Sequence, residues 1–364
     1  MGTAATWQLA KRGARVLCVD RFAPPHALGS SHGATRIIRE AYFEHPLYVP
    51  LVRRSYELWD ELARGVSVIP LYVLTGGAYV GARHSALIRG VLASVETHGI
   101  PHDVLDPGAL SARYPALRAD NGMIGVVEQR AGYLHVAAAI RAMRAHATQL
   151  GAQFEDFTPV EAFSVDGAGV HVRTAQDEFV AERLVVAVGA WVRELLPQLM
   201  STFTVQRQVT VWCSALGPGA APNEAPVTIW ELRSGKTFYT IPDEGDGFKI
   251  GIHYGGALTT VDKIERDVSA KEAEKGRNLL ARYIPVAGGA VRKASVCMYT
   301  NTPDLHFVVD WLPNADGRVL VLSPCSGHGF KFAPAIGEIG AQLLTSGRCD
   351  FDIAPFRLDR FTQP

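Results

Sequence analysis

The 364-residue sequence predicts an α/β protein: a Rossmann-like dinucleotide-binding part joined to a sheet-rich α+β part, each assembled from separated stretches of chain. The first observation behind this is a helix-like start, a glycine and a short apolar strand ending in an acid, Arg15-Val-Leu-Cys-Val-Asp20. The second is Leu184-Val-Val-Ala-Val-Gly189-Ala-Trp191, an apolar run that enters a glycine turn. The third is a change of texture from about residue 205, where alternating strands take over.

Taken in order, residues 2–12 read as a helix with Ala4, Ala5 and Leu9 on its apolar face, and Gly13 is a natural stop. Helix, glycine, strand and terminal acid make the back half of a dinucleotide-binding βαβ unit, whose front half is a strand and G-x-G-x-x-G. Gly2 stands at the third glycine of that fingerprint, and Asp20, 18 residues on, is spaced to grip a ribose hydroxyl. The stretch 50–63 is an amphipathic helix opened by Pro50, with Leu51, Ser55, Leu58 and Leu62 on one face. A strand is expected over 69–78, a helix over 135–149 ending before Gly151, and a small hairpin over 163–172 and 177–180. Gly189–Trp191 then offers a second backbone approach to a dinucleotide. Strands at 206–213, 236–241 and 247–254 follow, with a polar helix at 269–283. Val319–Leu322 is a buried strand, and a closing helix enters at Pro334, carries Ile336, Ile339 and Leu343, and stops at Gly347.

Lysine plus arginine balances aspartate plus glutamate at 36 each, so no global charge draws the chain to nucleic acid or an anionic membrane. Five scattered cysteines without a CxxC pair exclude a disulfide framework and a structural zinc site as expectations. With no secretion signal and no long apolar run, a cytoplasmic protein without metal, nucleic-acid or membrane partners is expected.

Arg36 and Arg39 stand three apart; on a helix they would share a face, and in a strand they would point to opposite ones. Arginine suits the fixed grip of a planar carboxylate. Lys249 and His253 fall on one side of an expected strand, alternating with Ile250 and Ile252. Either the lysine faces inward and serves something, or the isoleucines do and it is solvated. Cys297 lies in a strand-like context, either as a buried small hydrophobe or, given thiolate character, as a tether for a bound group, and Cys325 could compete for that second role. Gly327 and Gly329 permit positive φ and close approach to a planar ring, with Lys331 a cation beside it.

In order, these segments closely resemble the monomeric sarcosine oxidase family, which includes N-methyltryptophan oxidase. The likeness spans nearly the whole chain. It rests on Pro24-Pro-His26, Ser31-His-Gly-Ala-Thr-Arg-Ile-Ile-Arg39, Tyr48-Val-Pro-Leu51, Lys249-Ile-Gly-Ile-His253, Cys297-Met-Tyr-Thr300, Pro303-Asp-Leu-His-Phe307, Ser326-Gly-His-Gly-Phe-Lys331 and Phe351-Asp-Ile-Ala-Pro-Phe-Arg-Leu358. Ser31, Ala34, Leu305 and Cys325 depart from residues frequent there, and none removes a carried-over catalytic group.

The resemblance implies a glutathione-reductase-type FAD-binding domain (1–74, 136–204 and 297–364) and a discontinuous substrate domain (75–135 and 205–296). It implies FAD joined through sulfur to Cys297, with Gly2, Asp20, Ser31, His32, Thr35, Val160, Gly189, Trp191, Gly327, Gly329 and Lys331 as further cofactor contacts. Arg39 and Lys331 match the clamp on the substrate carboxylate, and Lys249 the lysine where oxygen is reduced. Arg36, Tyr239, His253, Tyr299 and His328 match residues lining the flavin and substrate cavity. The implied reaction is oxidative demethylation of an N-methyl amino acid, sarcosine or N-methyltryptophan, by a monomer using O2. Free amino acid, formaldehyde and hydrogen peroxide are the implied products. The alternatives are a cyclic imino acid (pipecolate or proline) oxidase and an inactive, N-terminally truncated remnant. The first strand and first two glycines of the fingerprint do not precede Gly2, so the product is expected to start upstream, with Met1 internal.

Overall fold

The computed structural model describes residues 1–66 and 70–361, the side chains of residues 65 and 66 excepted. The first helix, Gly2–Lys11, buries Ala4, Ala5, Trp7 and Ala10 and packs between the helices Val136–Gln149 and Ala333–Ser346. Glycine permits the second of these contacts: a Cβ on Gly337 would lie 2.6 Å from the backbone of Ala4. The helix gives way at Gly13, whose φ of +79° takes the left-handed turn that the sequence predicts. The strand Leu17–Val19 follows, pairs in parallel with Gln153–Glu155, and delivers Asp20 to its end. A second parallel pair, Leu184–Val186 with Val319–Ser323, also packs on the first helix and carries Val308–Trp311 antiparallel on its outer side.

A larger mixed sheet forms the other layer. In spatial order its strands are Leu258–Thr259, Thr204–Cys213, Phe248–His253, Thr237–Ile241, Val227–Glu231, Gly77–Ala82, Met123–Glu128 and His102–Leu105. Its ninth strand, Val291–Asn301, pairs along nearly the whole length of Thr204–Cys213. The helix Ala270–Tyr283, opened by a capping box of Ser269 and Glu272, covers one face of this sheet. Thr35–Ile38, Gly132–His135 and Tyr72–Leu74 make a small sheet of their own.

Three details differ from the sequence expectation. The run 163–172 is two strands, Val160–Asp166 and Gly169–Thr174, because Asp166 turns the chain by accepting from the backbone N–H groups of Ala168 and Gly169. The run 69–78 breaks at Gly76, whose φ is +74°, into Tyr72–Leu74 and the start of Gly77–Ala82; residue 69 lies outside the described residues. The expected boundary between 296 and 297 falls inside an unbroken strand. The helix expected over 50–63 runs from Tyr48 to Val66 and buries Leu51, Ser55, Leu58 and Leu62 as its pattern requires. Among the described residues, no helix is long and apolar enough to cross a membrane.

Gly337→Val should destabilise the protein by about 1–3 kcal/mol, since its side chain would be forced into the Ala4 backbone. A fall in thermal midpoint, against little change for a solvent-facing Gly13→Asn, would register it.

Candidate active site

Between the two layers lies a cavity of about 1,700 Å³. Part of its wall is the nucleotide-type half of the fold: Gly2, Asp20, Val160, Gly189 and Trp191. The first helix begins there with no side-chain cap, so its leading N–H groups are open to an anion. Asp20 accepts from the Phe22 N–H (2.9 Å), and burial pushes its carboxyl upward. Gly189 has φ +56° and open space beyond its Cα, while Trp191 stacks edge-on to Phe22. Gly2 is not sterically required, since a Cβ there would meet only the Ala187 Cβ at 3.8 Å.

The other part of the wall is basic and aromatic. Strand Thr35–Ile38 ends one residue before Arg39, so strict alternation does not separate the two arginines, and both reach the cavity. Arg36 donates to the carbonyls of Ser30 (2.8 Å) and Thr35 (2.9 Å), and its Nη2 lies 3.4 Å from the Cys297 sulfur. Arg39 is 2% exposed. It donates to the Ala41 carbonyl (2.9 Å) and to Glu44 Oε2 (2.5 Å), with its guanidinium 3.9 Å from the centre of the Tyr42 ring. Burial pushes the Glu44 carboxyl up, but Arg39, His328 and Lys331 outweigh it and hold it at about 2.

Lys331 sits in the turn that opens the last helix, and its Nζ donates to the His328 carbonyl (2.7 Å) and the Tyr42 hydroxyl (3.3 Å). Burial, then Arg39, lowers its ammonium to about 7. His253 Nδ1 meets the Tyr299 hydroxyl at 2.9 Å, and burial keeps that imidazole neutral, at about 4.

Two glycines make room for the tyrosines. A Cβ on Gly251 would lie 2.6 Å from the Tyr239 ring, and one on Gly327 would lie 2.4 Å from Tyr299. Only Gly327 has positive φ (+79°); Gly329 lies in the right-handed region, where a Cβ would strike the Pro324 carbonyl at 1.7 Å. Gly327 and Gly329 both lie in the cavity wall, with the place of a Cβ taken by Tyr299 at one and by backbone at the other.

Ser31, Cys297, His328 and Lys331 lie in the wall, as does Cys325, whose thiol sits 2.9 Å from Ser323 Oγ and is pushed up by burial. His32, Thr35 and Lys249 stand behind it. Lys249 is 1% exposed and donates to the carbonyls of Gly33 (2.7 Å) and Thr35 (2.8 Å), beneath Trp212. Ile250 is equally buried, against the helix Ala270–Tyr283. The strand is covered on both faces, so the choice between an inward lysine and inward isoleucines does not arise. Burial, then Arg36, holds the Lys249 ammonium well below its ordinary value. His32 is likewise kept at about 4 by burial and by Arg36 and Lys249, and its Nε2 has no partner among the described residues.

Sequence reasoning missed Glu44 and Tyr42. Their only signal is an acid and a tyrosine between Arg39 and the next helix, in a segment without regular structure.

A dinucleotide-binding layer facing a sheet-rich layer across a cationic cavity defines an oxidoreductase that works through a bound nucleotide cofactor. The family described as FAD dependent oxidoreductase matches residues 1–343, and the chain belongs to it, within its sarcosine oxidase-like amine-oxidising group. It is 38% identical over 362 residues to monomeric sarcosine oxidase of Streptomyces avermitilis, covering 98% of this chain and 94% of that one. It is 36% identical over 365 residues to N-methyl-L-tryptophan oxidase of Escherichia coli K12, covering 99% and 96%. The solved structure of NikD in its open form, an amino acid oxidase, superposes with a TM-score of 0.85 at 20% identity, over 98% of this chain and 94% of that one.

Glu44→Ala should cost about 3–5 kcal/mol, because it strands a buried guanidinium. Removing Glu61 from its half-exposed pairing with Lys11 should cost under about 1 kcal/mol. Denaturant melts of the two variants would show the contrast.

Proposed function

We propose that this protein oxidises the CH–NH bond of a small secondary amine bearing a carboxylate, with N-methyl amino acids such as sarcosine or N-methyltryptophan as substrates and O2 as electron acceptor. Overall, amine, O2 and water become the free amino acid, formaldehyde and hydrogen peroxide. The observation that carries this reading is the buried Arg39–Lys331 pair in the same wall as Cys297, Tyr299 and His253. Glu44 answers only one of the two cations, so the charge left over in a site shielded from water calls for an anionic ligand, and a carboxylate suits a guanidinium beside an ammonium. A cationic wall also favours the amine in its neutral, oxidisable form.

The residues present fit FAD. The cavity exceeds the roughly 300–1,000 Å³ of an ordinary ligand pocket, which leaves space for a dinucleotide and a substrate. The uncapped first helix suits a pyrophosphate and Asp20 a ribose. When bound, FAD supplies the two-electron acceptor. Cys297 is the proposed covalent anchor, preferred over Cys325 because Arg36 sets a fixed positive charge against its sulfur. Arg39 and Lys331 orient the carboxylate, an effect of placement rather than of acid–base chemistry. Tyr239, Tyr299 and His253 close the wall with groups that stay uncharged at neutral pH. Lys249 lends positive charge behind the Gly33–Thr35 backbone, where charge develops as oxygen is reduced.

A panel of N-methyl amino acids, cyclic imino acids and primary amino acids, assayed for peroxide and formaldehyde, tests the reading. Both products should appear together, and only with N-methyl substrates. Peroxide without formaldehyde would move the substrate to a cyclic or primary amine. Acid-precipitated protein should stay yellow, and Cys297→Ser should release the colour to the supernatant. Lys249→Met should slow reoxidation by oxygen at least about tenfold more than reduction by substrate, read by stopped-flow absorbance of the two half-reactions.

A further inference from the structure

Lys331 is a lone ammonium enclosed by protein, so whatever accepts its protons decides where it points and when it is charged. Its Nζ meets two acceptors, the His328 carbonyl at 2.7 Å and the Tyr42 hydroxyl at 3.3 Å. Tyr42 is itself wholly buried and stands behind the cavity wall, off the surface any substrate would touch. Its hydroxyl lies 2.7 Å from His328 Nδ1, and His328 Nε2 lies 3.1 Å from the Leu305 carbonyl.

These contacts admit one polarity. A carbonyl can only accept, so His328 donates from Nε2 and its neutral Nδ1 accepts from Tyr42. The Tyr42 oxygen then turns its lone pairs to Lys331. Burial, with Lys331 and Arg39 against a charge and Glu44 in favour, keeps His328 near 3, so the chain holds its direction through the neutral range.

We propose that Tyr42 is a positioning residue of the carboxylate-binding lysine: its hydroxyl, oriented by His328, accepts from Lys331 Nζ and so keeps a charged ammonium at the cavity wall. This rests on the carboxylate-clamp reading above. The other charged groups that act on Lys331 are Arg39 and Arg36, which oppose its charge, and Glu44, which favours it; Trp59 touches only its carbonyl. Tyr42 adds a neutral acceptor to that balance.

The test is calorimetric binding of methoxyacetate, an ether analogue of an N-methyl amino acid with no amine to oxidise, to the holoenzyme across neutral and alkaline pH. Lys331 must be charged to hold the carboxylate, so affinity should fall as pH rises through the lysine's ionisation. Removing an acceptor from an ammonium makes it a stronger acid, so Tyr42→Phe should move that fall to lower pH. At a pH just above the wild-type midpoint, affinity should drop roughly tenfold, as for loss of a hydrogen bond to a charged group. Well below both midpoints the two proteins should bind nearly alike. Phenylalanine keeps the ring that packs on Tyr48 and Phe332, and a thermal melt checks the fold. Lys331→Met, which keeps Tyr42, should lose the alkaline fall entirely. An unshifted midpoint in Tyr42→Phe, or equal weakening at every pH, would overturn the role of Tyr42 while leaving the clamp standing. A wild-type protein without any alkaline fall would overturn the clamp and Tyr42 together.

Discussion

Arg39 cannot sit where it does without Glu44. A guanidinium at 2% exposure is tolerable only when its charge is answered and it is hydrogen-bonded: Glu44 and the Tyr42 face answer the charge, and Glu44 and the Ala41 carbonyl each accept from one of its terminal nitrogens. That arrangement fixes the 39–47 segment against the last helix, because Lys331 and His328 come down onto the same tyrosine. The resulting cluster holds two cations and one anion. A ligand that brings one negative charge would complete it, so charge balance, and not shape alone, supports the proposed carboxylate.

The nucleotide half is held by a different means. Among the described residues no ion pair fastens the first helix to the last; Gly337 lets their backbones meet, and dispersion and burial do the rest. The same helix carries both short parallel pairs and points its uncapped start at the cavity. Small residues therefore bring the nucleotide half together, and charged ones the basic wall.

Much of the fold could be read from pattern. Helices with one apolar face and a glycine stop, such as 2–11 and 333–346, declare both period and end. The strand Val227–Glu231 does not, because it is covered on both faces and shows no alternation. The 163–172 run concealed a turn that depends on one aspartate side chain, a local hydrogen bond invisible to periodicity. In the site, the blocks around Arg36, Cys297 and Lys331 were legible as sequence, and the cavity wall contains all three. What stayed hidden were Glu44, which lines the cavity beside Arg39, and Tyr42, which stands behind the wall. Tyr42 and Glu44 act by contact across more than 280 positions of chain in the first case and inside an irregular loop in the second, and neither distance nor loop shape has a sequence period.

The eleven-residue strand Val291–Asn301 places Cys297 opposite Gln208, in the middle of its ladder with Thr204–Cys213. That ladder has one irregularity, where Arg292 is passed over between Val291 and Lys293, and from Lys293 onward every residue keeps phase with its partner. Parity along the five residues from Lys293 to Cys297 therefore decides whether sulfur or a neighbour's side chain meets Arg36. A one-residue insertion between 293 and 297 would turn the buried Val296, Cys297 and Met298 to opposite faces and exchange the chemistry of the wall, whereas one beside Arg292 could be absorbed by the slack already there. The sheet thus tolerates length variation at its far end and forbids it near the cavity, and homologous chains that alter this strand should do so only on the Arg292 side.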